Sequence, residues 1–73
     1  MQVRAETYRD EDGVEKLRRF CLDSHEIEVA ESIDQWHGDE YRYFKVRGSD
    51  GEVYILRLDE VRGAWELTTR QRA

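Results

Sequence analysis

The sequence predicts an all-β fold, a small antiparallel SH3-like barrel of five or six strands, and three observations carry that expectation. Short runs rich in Val, Ile, Tyr, Phe and Trp alternate with polar residues at period two. Clusters of Gly, Asp and Ser, the residues that supply tight turns, separate those runs. The chain has 73 residues and no proline, so it offers one domain over residues 1–73 and no internal linker. A chain this short buries only about 60% of the surface its unfolded form exposes. Closing the first strand against a later one removes the sheet edges that invite aggregation. The alternative is α+β, with one helix at about residues 23–36 packed on a carboxy-terminal meander.

Taken in order, "VRAETY" alternates Val3, Ala5 and Thr7 against Arg4, Glu6 and Tyr8, and the turn residues "DEDG" end it, which gives a first strand. "GVEKLRR" suggests one turn of helix. "RRFCLD" and "EIEVAESI" then read as a hairpin over "DSHE", with Phe20 and Leu22 on one side and Ile27, Val29 and Ile33 on a common parity. A helix fits the same stretch, with Asp23 as its cap, Glu26 at the third position, Ile27, Ala30 and Ile33 on one face and Gly38 as its stop. The β-branched Ile27, Val29 and Ile33 favour the strand.

"YRYFKVRGSDGEVYILRLDE" is a hairpin of two β-rich runs around "GSDG". A four-residue loop there sets Arg47 opposite Glu52, Val46 opposite Val53 and Phe44 opposite Ile55, and a two-residue loop on "DG" leaves the faces unchanged. Period two then puts Phe44, Val46, Val53 and Ile55 on the core face. Tyr41, Tyr43, Lys45, Tyr54, Leu56 and Leu58 fall on the other. The turn "DEVRG" leads to "AWELT", which adds Trp65 and Leu67 to the expected core and completes a three-stranded meander.

The usual staples of small domains are missing. The single cysteine, Cys21, has no disulfide partner in the chain, so stability rests on packing, about 3–5 kcal/mol for a core of this size. No stretch approaches the roughly 20 apolar residues that cross a bilayer, and the amino terminus is mixed in charge without an apolar core. No membrane association is expected, and the cytoplasm is the expected compartment, where a free thiol stays reduced. The formal charge is −5, unevenly placed: Asp23 to Glu40 carry seven acids and no Lys or Arg, while Tyr41 to Arg47 carry three bases and no acid.

"RRFCLDSHEIEVAESIDQW" followed by "YRYFKVRGSDGEVYILRLDEVRGAWELT" resembles a small bacterial domain family of unknown function. The resemblance lies in Arg19 with Phe20, Trp36, the run Tyr41 to Val46, Gly51 with Tyr54 and Leu56, and Gly63 with Trp65 and Leu67. It covers about residues 18–69. Domains of this look are sometimes encoded near proteins of the error-prone, Y-family polymerase type, which implies a DNA-repair neighbourhood. The resemblance implies no catalytic residue.

Two functional readings compete for the aromatic and basic strand. Single-strand binders combine a positive groove with aromatics on which bases stack, and Tyr41, Tyr43, Lys45, Arg47 and Tyr54 are the residues of that kind here. An acidic chain repels phosphate everywhere except at such a patch, which favours the second reading, a surface for an unidentified protein partner. Cys21, His25, His37, Asp39 and Glu40 are metal-ligand types, but no repeated spacing joins them, so no metal and no cofactor is expected. No glycine-rich phosphate loop and no nucleophile beside a base is present, so the chain does not read as an enzyme. In "DSHEIEVAESIDQWHGDE", Glu26, Glu28 and Asp34 are expected to face water while Ile27, Val29 and Ile33 face inward. The expectation is therefore a non-catalytic interaction module, with a nucleic-acid-associated domain as the alternative.

Overall fold

A computed structural model describes residues 3–72 as six strands: β1 Val3–Arg9, β2 Glu15–Leu22, β3 His25–His37, β4 Tyr41–Gly48, β5 Glu52–Asp59 and β6 Ala64–Arg72. They pair antiparallel in chain order and close into a barrel, as the sequence predicts. The helix at 23–36 does not form. The helical turn expected at "GVEKLRR" is also absent, because β2 begins at Glu15 and pairs with β1 along its whole length, with one bulge after Glu6.

Alternation dictates the core. Val3, Leu17, Phe20, Leu22, Phe44, Val46, Tyr54 and Leu56 are buried, and Ala5, Ile27, Val29, Leu58, Trp65 and Leu67 pack against them. Phe20 meets the Tyr54 ring edge-on at 5.0 Å, and Phe44 meets Trp65 at 5.1 Å. Such aromatic pairs add about 0.5–1.5 kcal/mol each beyond their burial.

One expectation fails instructively. The β4–β5 turn has three residues, Ser49, Asp50 and Gly51, so Arg47 pairs with Val53, Val46 with Tyr54 and Phe44 with Leu56. An odd loop flips every side chain of the second strand relative to an even one. Tyr54 and Leu56 therefore occupy the core, and Val53 and Ile55 lie half-buried on the outer face. Gly51 makes this turn possible: its φ is +84° and its N–H donates to the Gly48 carbonyl at 2.9 Å. Asp50 fixes the turn from within, its carboxylate accepting from the Glu52 N–H at 3.0 Å.

The long β3 serves two partners. Residues 25–28 pair with β2, and residues 29–37 pair with β4. Two bulges, after Val29 and after Ser32, carry the strand around the barrel corner. They also reset its parity: Ile27 and Val29 point inward as expected, but Ile33 sits at the second bulge and is 38% exposed.

Candidate functional site

The sheet β3–β4–β5–β6 presents on its outer face three cross-strand rows, read directly from the register. Trp36, Tyr43, Arg57 and Glu66 form the first; Asp34, Lys45, Ile55 and Thr69 the second; Glu31, Arg47, Val53 and Gln71 the third. Tyr41 stands beside the first row, two residues from Tyr43 on the same strand and thus on the same face.

Aromatic groups concentrate in the first row. Trp36 and Tyr43 stack nearly parallel, centroids 5.4 Å apart at 6°, and Trp36 remains 40% exposed. Tyr41 lies 6.3 Å from Tyr43, and the Arg57 guanidinium sits 4.3 Å over the Tyr41 ring. Arg57 also reaches Glu66 at 3.1 Å, a carboxylate that holds its guanidinium above the ordinary range. Gly38 completes the support: a Cβ there would stand 3.1 Å from the Tyr43 ring.

Four of the five surface residues expected from sequence share this face: Tyr41, Tyr43, Lys45 and Arg47. Tyr54 does not belong to it. Its ring is fully buried, and its hydroxyl donates its one proton to Asp50 at 2.5 Å, with a Glu52 carboxylate oxygen 3.2 Å away. Burial first, then the hydrogen bond to Asp50, pushes the phenol well above its ordinary range. Trp36 and Arg57 take its place. The signal for Trp36 was the position opposite Tyr43, which the three-residue turn at 38–40 between β3 and β4 sets.

The cations of this face are mostly answered by acids. Arg47 pairs with Glu31 at 3.3 Å and Arg57 with Glu66, while Lys45 stands without an ion pair among the described residues, with Asp34 across the strand. Arg70 is elsewhere, opposite Tyr54 in register, bound to Glu52 at 2.6 Å. The Arg72 side chain lies outside what the structure describes. The candidate metal ligands are also apart: Cys21 and His25 flank the β2–β3 turn, His37, Asp39 and Glu40 the β3–β4 turn. Among the described residues no three such groups gather, and the Cys21 thiol donates to the Asp23 carbonyl at 3.2 Å.

Elsewhere, shifted titratable groups have visible structural partners. The hydrogen bond from Lys16 holds Asp10 below the usual carboxylate range. Arg42 and then Thr7 do the same for Glu15, whose backbone carbonyl accepts from Gln35 Nε2 at 2.9 Å. For Asp50, burial pushes the carboxyl up, and the bonds from Tyr54 and the Glu52 N–H outweigh it. Among the described residues no helix is long and apolar enough to cross a membrane. Compared with known proteins, the chain matches no family model, no curated relative and no solved structure.

Proposed function

We propose that this barrel is a non-catalytic interaction module that holds a protein partner against the outer face of β3–β4–β5, with Trp36, Tyr41 and Tyr43 as anchors and Lys45 and Arg57 beside them. The observation that carries the reading is the exposed Trp36–Tyr43 stack joined to Tyr41 and Arg57. Trp, Tyr and Arg are the residues that dominate binding energy at protein interfaces, where flat, rigid rings bury area at low entropic cost. Val53 and Ile55, turned outward by the three-residue turn, extend the apolar part of the face. The free thiol of Cys21 suits a reducing, cytoplasmic setting.

A specific observation favours a second reading. Stacked rings beside Lys45, which has no ion pair among the described residues, are the elements of a single-strand binder, which would fit the DNA-repair neighbourhood that the family resemblance implies. Against it stand Arg47 and Arg57, already held by acids on the same face.

Two measurements separate the readings. A photo-crosslinking residue at Lys45 is expected to capture a protein in a lysate, and capture is expected to vanish with Trp36→Ala while the fold is kept. Labelled single-stranded DNA and RNA, titrated at low and moderate salt, are expected not to bind. Micromolar binding that falls with salt, with a slope near −0.7 per phosphate contact, and that is lost in both Lys45→Glu and Tyr43→Ala, would make the nucleic-acid reading the function.

A further inference from the structure

Each of the three cross-strand rows on the outer face carries one cation and one anion: Arg57 with Glu66, Lys45 with Asp34, and Arg47 with Glu31. The face is therefore locally neutral within a chain whose formal charge is −5. Its own side chains select no sign of charge in what docks on it. The sign is set at the border of the first row, the one that holds the Trp36–Tyr43 stack.

Two turns form that border, the β3–β4 turn at 38–40 and the β5–β6 turn at 60–63. They are joined, because the Glu60 N–H donates to the Glu40 carbonyl at 2.9 Å. The first packs directly against the aromatics, since a Cβ at Gly38 would stand 3.1 Å from the Tyr43 ring. Asp39, Glu40 and Glu60 are exposed there and form no ion pair among the described residues. Arg62 is the one Lys or Arg in the two turns, and it reaches Asp59 at 4.0 Å. Asp59 itself is buried and holds the second turn from within, accepting from the N–H groups of Val61 and Arg62 at 3.0 and 3.1 Å. Three uncompensated carboxylates thus stand beside a neutral face with an exposed tryptophan, a ring that also attracts cations to its open side.

We infer that the partner held on the outer face presents a basic segment, with an apolar or aromatic side chain on the Trp36–Tyr43 stack and Lys or Arg side chains over Asp39, Glu40 and Glu60. The inference rests on the reading of that face as a docking surface and adds the chemistry of what docks. Charge complementarity selects this occupant, because complementary potentials steer encounter and suppress wrong partners. A second copy would bring its own three carboxylates or its neutral rows to the same border and answer none of these acids. A nucleic-acid strand along the first row would set phosphates against them.

The test pans random twelve-residue peptides displayed on phage against the protein after depletion on Trp36→Ala, which keeps every charge and so removes peptides held by net charge alone. The surviving peptides are expected to combine an apolar or aromatic residue with two or more Lys or Arg, and their binding is expected to weaken with salt. Asp39→Asn, Glu40→Gln and Glu60→Gln are each expected to weaken the best of them roughly two- to fivefold. Glutamine at position 40 carries the same backbone cost at φ +63° as the glutamate it replaces. Glu28→Gln removes the same charge near the far turn, where the Glu28 carbonyl accepts from the Ser49 N–H, and is expected to leave binding unchanged. Surviving peptides without basic residues, or basic ones that lose as much affinity with Glu28→Gln as with the three turn variants, would overturn the inference while leaving the docking face in place. No peptide surviving the depletion would remove the docking face itself, and the inference with it.

Discussion

The two sides of the β4–β5 hairpin carry the same kinds of residue and have opposite roles. Inside, Phe44, Val46, Tyr54 and Leu56 are almost wholly buried and close the core; outside, Tyr41, Tyr43, Val53 and Ile55 stay partly open. Tyr43 and Tyr54 make the contrast sharpest. One stacks on an exposed tryptophan, and the other donates its hydroxyl to Asp50 beneath the turn. Composition does not separate them. The three-residue turn does, because one residue more or fewer would exchange the two faces of β5.

The largest effect is expected on the inner side. Phe44→Ala should cost about 3–5 kcal/mol, comparable to the whole stability of a domain this small, and a urea midpoint unchanged from the parent would break the inner–outer distinction. Next comes the turn. Gly48→Ala would bring a Cβ to 2.7 Å from the Asp50 carboxylate, 2.8 Å from an Ile27 methyl and 3.1 Å from the Tyr54 ring, and overpacking of that kind costs about 1–3 kcal/mol. Gly51→Ala meets no atom within 4 Å yet carries φ +84°, so about 1–2 kcal/mol is expected from backbone strain alone. Thermal or urea unfolding of the pair ranks crowding against strain.

A smaller effect depends on pH. Arg42 holds the Glu15 carboxyl below its ordinary 4.5 in the folded barrel. A depressed folded value means that the stabilisation is complete above the unfolded value and lost as pH falls through the folded one. Stability should therefore decline as pH drops below about 4.5, and Glu15→Gln should flatten part of that decline. Equal slopes for parent and variant between pH 5 and pH 2 (roughly the range over which a lowered carboxylate titrates) would show that the Glu15–Arg42 pair contributes nothing.

Much of the fold was legible in the sequence because period two survives wherever strands are regular. The first strand, the β2–β3 hairpin and the meander from Tyr41 onward all follow from alternation and turn residues. Two things were not legible, and both concern register. "GSDG" is compatible with loops of two, three or four residues, and only the close fit of Gly48 against Ile27 and Tyr54, with Gly51 in the left-handed region, fixes three. The bulges in β3 are invisible for a similar reason: Ile33 continues the parity of Ile27 and Val29 in sequence, while the barrel corner breaks it in space. The candidate surface inherits the effect of turn length. Tyr41, Tyr43, Lys45 and Arg47 were placed together by alternation on one strand, Tyr54 was misplaced by the β4–β5 turn, and Trp36 meets Tyr43 through the register of the β3–β4 turn.

The most direct test of turn-controlled partition is a paired urea unfolding experiment on Tyr54→Ala and Tyr43→Ala. Tyr54→Ala empties a core site and strips a partner from Asp50, a loss of about 3–5 kcal/mol that should leave little or no cooperative transition. Tyr43→Ala removes an outer ring and its stack on Trp36, so a cooperative transition should remain with a loss of about 1 kcal/mol. Equal losses, or a fold that survives without the Tyr54 ring and collapses without that of Tyr43, would contradict the assignment of one tyrosine to the core and the other to the outer face.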